Sequence, residues 1–183
     1  MSPEVFEAFN RIACARFVSE LPGRVLEVGA GSWTLLDIEC FQHSEKYALN
    51  MRFDRMSKSL KEVNRILGNC NAMEFMDGEF DCVMSCSMLE HDRFFWKSTS
   101  EIRRVLKKGG TFIVGVPIFM SLPTDLRMTT LTYARHGMAY NADFYRFSKQ
   151  AVREVFFEGY SQVTDEVLVR RYPNPYLVMA GRK

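Results

Sequence analysis

The segment RVLEVGAGSW, residues 24–33, limits the possible folds more than any other part of the chain. The five mostly apolar residues from Arg24 to Val28 predict a buried strand, and Gly29 and Gly31 follow it directly. Glycine lacks the Cβ atom that would keep a ligand away from the backbone of such a turn. A strand that runs into a glycine turn is therefore a candidate binding site.

Predicted strands and helices alternate along the rest of the chain. Strands are expected at residues 24–28, 47–51, 80–85, 111–116, 161–169 and 176–180, with a weak one at 69–73. Helices are expected from Ser2 and Pro3 to Phe17, over 34–41, along the stripe Met56, Leu60, Val63 and Leu67, from Phe95 to Gly109, and from Ser148 to Gly159. Alternation of this kind predicts an α/β fold with a parallel sheet and helices on both faces. The last two strands are too closely linked to be parallel, so an antiparallel strand is expected near the C-terminal end.

Composition and charge exclude several classes of protein. The chain has 183 residues, which fits one domain, and 24 basic and 22 acidic side chains give a net charge of +2. That balance indicates neither a nucleic-acid partner nor an anionic membrane surface. The five cysteines are scattered without a CxxC pair, so we expect no metal site but reduced thiols in a cytoplasmic protein. We expect no signal peptide in MSPEVFEAFN and no membrane span.

The glycine turn does not match the dinucleotide-binding fingerprint. That fingerprint needs a third glycine at position 34, where this chain has Thr34. Glu27 stands two residues before Gly29, and its carboxylate would repel a pyrophosphate. It would attract a cationic ligand group instead, such as a free amino group or a sulfonium.

The arrangement acid-x-Gly-x-Gly resembles the first motif of the class I S-adenosylmethionine-dependent methyltransferases. Three further segments are similar to that family in order and spacing: FDCVMSCSMLEH (80–91), EIRRVLKKGGTFIVGVP (101–117) and FYRFSKQAVREVFFEGY (144–160). The resemblance covers most of residues 20–180. It implies a three-layer sandwich with a seven-stranded, mostly parallel sheet and an antiparallel C-terminal strand. It also implies S-adenosyl-L-methionine as the cofactor.

The resemblance assigns a set of cofactor-binding residues. They are Glu27, Gly29, Ala30, Gly31, Asn50, Met51, Asn71, Ala72, Met73 and Ser87. Asn50 and Asn71 stand where the family usually or often has an acid, and an alternative alignment places Asp54 at the first of these positions. An amide still accepts a hydrogen bond but loses the assistance of a charge, and both residues could instead be ordinary turn residues. Met51 and Met73 could hold an adenine ring or fill the core, and we expect Trp33 to pack between a helix start and the sheet.

The loop after the fourth predicted strand faces the methyl group in the family. His91 is the candidate general base because imidazole titrates near neutral pH, although a structural role remains open. Glu90 and Asp92 are expected at the surface or as helix caps. Tyr145 and Arg146 contact substrate on one interpretation, and serve packing and ion pairing on the other.

The long connection 118–146 is a candidate lid over the acceptor, with a surface loop or a dimer contact as alternatives. The sequence thus predicts a single methyltransferase-like domain over 1–183 that methylates an unidentified small molecule, with a homodimer left open. A catalytically weak protein of the same fold, acting as a cofactor-binding or partner subunit, is the alternative function. A nucleotide-dependent oxidoreductase is a third interpretation, disfavoured by Thr34 and Glu27.

Overall fold

The computed structural model describes residues 1–31, 33–53, 62–122, 129–131, 143–168 and 175–183. The helices are α1 (Pro3–Arg16), α2 (Phe95–Val105) and α3 (Lys149–Ala151), the last continued by a π-helical stretch, Val152–Phe156. The strands are β1 (Arg24–Val28), β2 (Glu45–Asn50), β3 (Val63–Leu67), β4 (Phe80–Cys86), β5 (Leu106–Pro117), β6 (Met120–Leu122), β7 (Thr129–Leu131), β8 (Ser161–Leu168) and β9 (Tyr176–Arg182). No helix in these ranges has both the length and the apolar character needed to cross a bilayer.

Seven of these strands form one sheet in the order β3-β2-β1-β4-β5-β9-β8. The first five are parallel, and β9 lies antiparallel to both β5 and β8. This arrangement confirms the predicted fold class, including the antiparallel C-terminal strand. The chain order reverses between β1 and β4, and a switch point of this kind is where parallel sheets bind ligands.

Helix α1 covers one face of the sheet. The Ser2 side chain accepts a hydrogen bond from the Val5 amide at 3.4 Å, and Pro3 occupies the first helical position, as predicted. Phe9 and Ala13 are fully buried, in one cluster with Val178 of β9. Burying this apolar stripe stabilises the helix far more than its intrinsic propensity does.

The other face is covered by α2 and the helix that starts at Ser148. Ile102 and Val105 are fully buried with Phe112 of β5 in a second cluster, and Phe156 joins them. The Ser148 hydroxyl accepts from the Ala151 amide at 3.0 Å, so it caps this helix as predicted. One cluster lies on each face of the sheet, between the sheet and its helices, which gives the three layers of the sandwich.

The prediction of a helix over residues 34–41 is wrong. Only a short 3-10 turn forms there, from Glu39 to Phe41. The backbone at Ile38 is extended (φ −58°, ψ 135°), which breaks the hydrogen-bond ladder of a helix. The Thr34 hydroxyl and the Leu35 amide instead donate hydrogen bonds to the Glu27 carboxylate. The buried apolar side chains of this segment therefore reach the core from turns.

The helix predicted through Val63 and Leu67 is also wrong in the described part of the chain. Residues 63–67 pair with β2 in parallel and form the edge strand β3. Leu67 is 71% exposed, so the assumed apolar stripe does not face the core. The other two members of that stripe, Met56 and Leu60, lie outside the described residues.

The weak strand predicted at 69–73 is replaced by a tight turn. A single bridge links Asn69 and Ala72, and the Ala72 amide donates to the Asn69 carbonyl at 3.1 Å. The Asn69 side chain accepts from the Asn71 amide at 2.9 Å, which is the local bond that favours asparagine in turns.

Candidate functional site

A cavity of about 930 Å³ opens at the carboxyl ends of β1, β2, β4 and β5. Eight of the predicted site residues line it: Glu27, Gly29, Gly31, Asn50, Met51, Asn71, Ser87 and His91. Three others do not line it. Ala30 and Met73 are buried in the two core clusters, and Ala72 is exposed on its turn.

Gly29 and Gly31 are glycines for different structural reasons. Gly29 has φ +81°, a backbone conformation that favours glycine, and an added Cβ would lie 2.6 Å from Cγ of Met88. Among the described residues, no atom lies within 4 Å of a Cβ built at Gly31. Gly29 is therefore required by the fold itself, whereas Gly31 leaves open space where the chain meets the cavity.

Glu27 is buried at the end of β1, with 3% of its surface exposed. Its Oε2 accepts a hydrogen bond from the Thr34 hydroxyl at 2.5 Å and another from the Leu35 amide at 3.0 Å. Burial nevertheless raises the pKa of this carboxyl to about 7, because the two bonds offset only part of the loss of hydration. Glu27 thus faces the cavity with a charge that a cationic ligand would stabilise.

The two asparagines are both held by side-chain hydrogen bonds. Asn50 donates from Nδ2 to the carbonyl oxygen of Ala30 at 2.6 Å, which ties the end of β2 to the glycine turn. Asn71 donates from Nδ2 to Asp92 Oδ2 at 2.8 Å and to the Ser98 hydroxyl at 2.7 Å. Each asparagine therefore connects two segments of the cavity wall.

Ser87 follows β4 with φ +51°, which is uncommon for a residue other than glycine. Its amide donates to the Gly115 carbonyl at 2.9 Å, and its hydroxyl lies 2.8 Å from the Tyr176 hydroxyl. Cys86 Sγ lies 3.2 Å from the same hydroxyl, and burial raises the pKa of this thiol to about 11. Tyr176 is thus held between two neutral groups, the Ser87 hydroxyl and the Cys86 thiol, at the start of the loop after β4.

Three large apolar side chains stand at the rim of the cavity. Trp33 is 61% exposed, Met51 is 71% exposed and Phe144 is 54% exposed, and all three line it. The expectation that Trp33 packs between helix and sheet is wrong, because no helix begins at that point. Exposed apolar groups around a polar cavity offer contact to the apolar part of a ligand.

Glu90 and His91 follow Ser87 on a short 3-10 turn, Leu89–His91. The expectation that Glu90 lies at the surface is wrong, since it is 2% exposed and lines the cavity. Its backbone carbonyl accepts from the amides of Phe144 and Tyr145, at 2.8 and 3.2 Å, so the segment 143–147 covers it. Burial raises the pKa of the Glu90 carboxyl to about 8.

Asp143 links His91 to Arg146. Its Oδ1 lies 3.0 Å from Nδ1 of His91, and its Oδ2 accepts from the Arg146 guanidinium. With a carboxylate at Nδ1, the other nitrogen of His91 is directed to the side of Glu90, whose Oε1 lies 3.9 Å away. An imidazole oriented in this way can accept a proton from a bound group.

Asp92 and Tyr145 have structural partners. Asp92 Oδ1 accepts from the Phe94 amide at 2.8 Å, but Phe94 is itself the N-cap residue of α2 and this helix has no side-chain cap, so the expected capping role is wrong. The Tyr145 ring stacks on Phe147, and its hydroxyl donates to the Arg93 carbonyl at 3.0 Å. Arg146 lines the cavity, but Tyr145 is absent from the described lining.

Most of the predicted lid segment, 118–146, lies outside the described residues. Its start forms the two-stranded sheet of β6 and β7, and its end supplies Asp143, Phe144 and Arg146 to the cavity. Sequence reasoning did not name Cys86, Asp143 or Tyr176 as site residues. A signal was available for Cys86, which directly follows the strand predicted at 80–85, and for Asp143, which lies in the predicted lid segment, but not for Tyr176.

Comparison with known proteins gives one family match and one curated relative. The model of the family described as "Methyltransferase domain" matches residues 26–114. An uncharacterized 37.1 kDa protein in transposon TN4556 of Streptomyces fradiae is 31% identical over 84 residues, which are 45% of this chain. The matched segment spans about a quarter (24%) of that relative's length.

Solved structures match over nearly the whole chain. A 1,6-didemethyltoxoflavin-N1-methyltransferase of Burkholderia thailandensis, with bound S-adenosylhomocysteine, is 16% identical with a TM-score of 0.72, covering 97% of this chain and 77% of that one. The N-methyltransferase NodS of Bradyrhizobium japonicum is 11% identical with a TM-score of 0.71, covering 98% and 94%. At such low identity these neighbours establish the fold alone.

Proposed function

We propose that this chain, which has the fold of the class I methyltransferases and matches the methyltransferase-domain model over residues 26–114, transfers a methyl group from S-adenosylmethionine to a small-molecule acceptor. The observation that carries the proposal is the open space beside Gly31, at the carboxyl end of β1, where a single Cβ would intrude. The buried carboxylate of Glu27 faces the same cavity. A cleft with a glycine backbone and an adjacent acid fits a ligand that has a cationic amino-acid end.

Seven of the ten residues proposed to hold the cofactor line this cavity, and Ala30, Ala72 and Met73 are their neighbours in the chain. Glu27 is proposed to receive the amino group, and the turn Gly29–Gly31, with Ala30 between, to lie along the methionine end. Asn50 and Met51 are proposed to contact the ribose. The adenine ring is proposed to lie beside Asn71, Ala72 and Met73, with Ser87 nearby. When bound, S-adenosylmethionine supplies a methyl group that is already activated for transfer.

The chain's own contribution is then mainly alignment and exclusion of water. Glu90, His91, Asp143 and Arg146 line the part of the cavity formed by the loop after β4 and the end of segment 118–146. We assign the acceptor to this part. His91 is proposed as the proton acceptor, oriented by Asp143, and segment 118–146 as the lid of a single domain.

Calorimetric titration tests the proposal. Wild-type protein is titrated with S-adenosylmethionine, S-adenosylhomocysteine and NAD in parallel, and the first two are expected to bind at about micromolar strength, which is about −8 kcal/mol, with NAD silent. Gly31→Val should abolish binding without loss of stability, because its side chain enters the cavity. Ala15→Val, which places the same side chain at an exposed position of α1, is the matched control.

The outcomes separate the candidate functions. Retained cofactor affinity in Gly31→Val would contradict the assignment of the glycine turn. Cofactor binding without methyl transfer to any acceptor in a broad screen would favour the alternative of a cofactor-binding or partner subunit. Binding of NAD alone would favour an oxidoreductase instead.

A further inference from the structure

Three carboxylates with buried side chains line the described cavity, and the proposed function uses two of them, Glu27 for the cofactor and Asp143 to orient His91. Glu27 is satisfied by Thr34 and Leu35 and is assigned to the cofactor. Glu90 is equally buried, yet its Oε2 has no hydrogen-bond partner among the described residues. Burying a carboxylate oxygen without a hydrogen-bond donor costs free energy. A donor group on a bound ligand would remove that cost.

The surroundings of Glu90 indicate what that partner is. Arg146 lowers the pKa of this carboxyl, but Asp143 raises it and also shares the Arg146 guanidinium. His91 Nε2 lies 3.9 Å from Oε1, beyond hydrogen-bonding distance, and the thiol of Cys86 and the hydroxyl of Tyr176 are neutral neighbours. Glu90 lines the cavity, and an N–H donor carrying positive charge that reached its unpartnered oxygen would be stabilised there.

We propose that Glu90 binds the amino group of the methyl acceptor, so that the substrate of this protein is an amine. This inference rests on the proposed function, because it takes the Glu27 side of the cavity as the cofactor's place. The exposed rings of Trp33 and Phe144 at the rim would contact the apolar part of the same molecule. The acceptor class is therefore a small amine with an apolar or aromatic body.

For an amine acceptor, Glu90 takes the proton that must leave before the attack, and His91 remains to accept the proton that the methylated ammonium product can lose afterwards. An ammonium group has no lone pair, so it must lose one proton before its nitrogen can attack carbon. The Glu90 carboxylate accepts that proton and becomes a neutral acid beside a neutral amine. The nitrogen–carbon bond then forms as the carbon–sulfur bond breaks, and the positive charge moves from sulfur to nitrogen. A carboxyl with a pKa raised to about 8 by burial holds such a proton readily.

The test compares amines with alcohols of the same shape. Protein saturated with S-adenosylhomocysteine is titrated with ethylamine, phenethylamine and tryptamine, and with ethanol, 2-phenylethanol and tryptophol. At about pH 8 the alkyl amines are protonated. A hydrogen bond to a charged group predicts that each amine that binds exceeds its alcohol by about tenfold or more. With S-adenosylmethionine, mass spectrometry should detect methylated amine and no methylated alcohol.

Variants assign the preference to Glu90. Glu90→Gln should reduce the amine-to-alcohol ratio to about one, while the affinity for S-adenosylhomocysteine stays unchanged and serves as the check of folding. Glu90→Asp keeps the charge and should retain part of the ratio. Glu158→Gln, an exposed carboxylate after the π-helical stretch, is the matched control and should leave the ratio intact.

Three results would overturn the inference. If wild-type protein binds S-adenosylhomocysteine but prefers no amine of the panel, the acceptor class is wrong and the proposed function stands. If the preference survives in Glu90→Gln, another group recognises the amine. If S-adenosylhomocysteine does not bind at all, the proposed function fails and this inference fails with it.

Discussion

Ionisation of Glu27 is predicted to lower the stability of the ligand-free protein as the pH rises. Burial raises the pKa of this carboxyl from 4.5 to about 7, so over that range the folded chain keeps a proton that the unfolded chain releases. The stabilising contribution of the protonated form is complete below pH 4.5 and is lost as the pH rises through 7. At about 1.4 kcal/mol for each pH unit, the difference amounts to about 3 kcal/mol.

Urea unfolding of wild-type protein and Glu27→Gln between pH 4.5 and 8 measures this contribution. Glutamine cannot ionise, so the free energy of unfolding of the wild type should fall by about 3 kcal/mol relative to the variant. Glu90 has a pKa raised in the same direction, but it is present in both proteins and cancels in the difference. Glu20→Gln, an exposed carboxylate, should follow the wild type. Parallel pH profiles for wild type and Glu27→Gln would refute the reasoning.

The same ionisation links pH to cofactor binding. A cationic amino group beside Glu27 favours the charged carboxylate, so binding near pH 6.5 should release a proton and the affinity should rise towards about pH 8. Calorimetry in two buffers with different ionisation enthalpies measures the proton released. Glu27→Gln should bind more weakly and release none. Equal proton release by both proteins would show that Glu27 does not face the cation.

Three further substitutions test how the site is supported, each measured by urea unfolding. Gly29→Ala should destabilise the fold by about 2 kcal/mol or more, because φ is +81° and the new Cβ would meet Met88; a stable variant would contradict the strained turn. Arg104→Met should cost about 2 kcal/mol, since the guanidinium donates to the carbonyls of Met73 and Phe75, at 2.9 and 2.7 Å, and neutral methionine leaves these unpaired. Ser2→Ala should cost about 1 kcal/mol through loss of the α1 cap, and no change would show that the cap bond is not formed in solution.

The core of the fold was predictable because it is encoded locally. Buried parallel strands such as β1 and β4 are short apolar runs in the sequence. The short link without a helix between β8 and β9 predicted that these two strands are antiparallel. The edge strand β3 was not predictable in this way. Its residues fit a helical spacing as well as an extended one, and only pairing with β2 decides between them.

The candidate site was predictable where one segment carries the chemistry. Glu27 and the glycines that follow it are neighbours in sequence, so their spacing alone suggested a ligand. The burial of Glu90 was not predictable, because it depends on the segment 143–147 folding over the loop after β4. Likewise, the exposure of Trp33 follows from the turn that Glu27 imposes on Thr34 and Leu35 in place of a helix.

The structure also gives a physical reason for amides rather than carboxylates at positions 50 and 71. A carboxylate at position 50 could not donate to the Ala30 carbonyl, and it would place a negative charge 2.6 Å from that oxygen. A carboxylate at position 71 would face Asp92, whose Oδ2 already accepts from Ser98 at 2.5 Å. Amides at both positions can donate to the cavity wall and still present a carbonyl oxygen as an acceptor. The amides thus leave Glu27 and Glu90, the two carboxylates to which the cationic groups of cofactor and acceptor are assigned, without an added like charge at these two positions of the cavity wall.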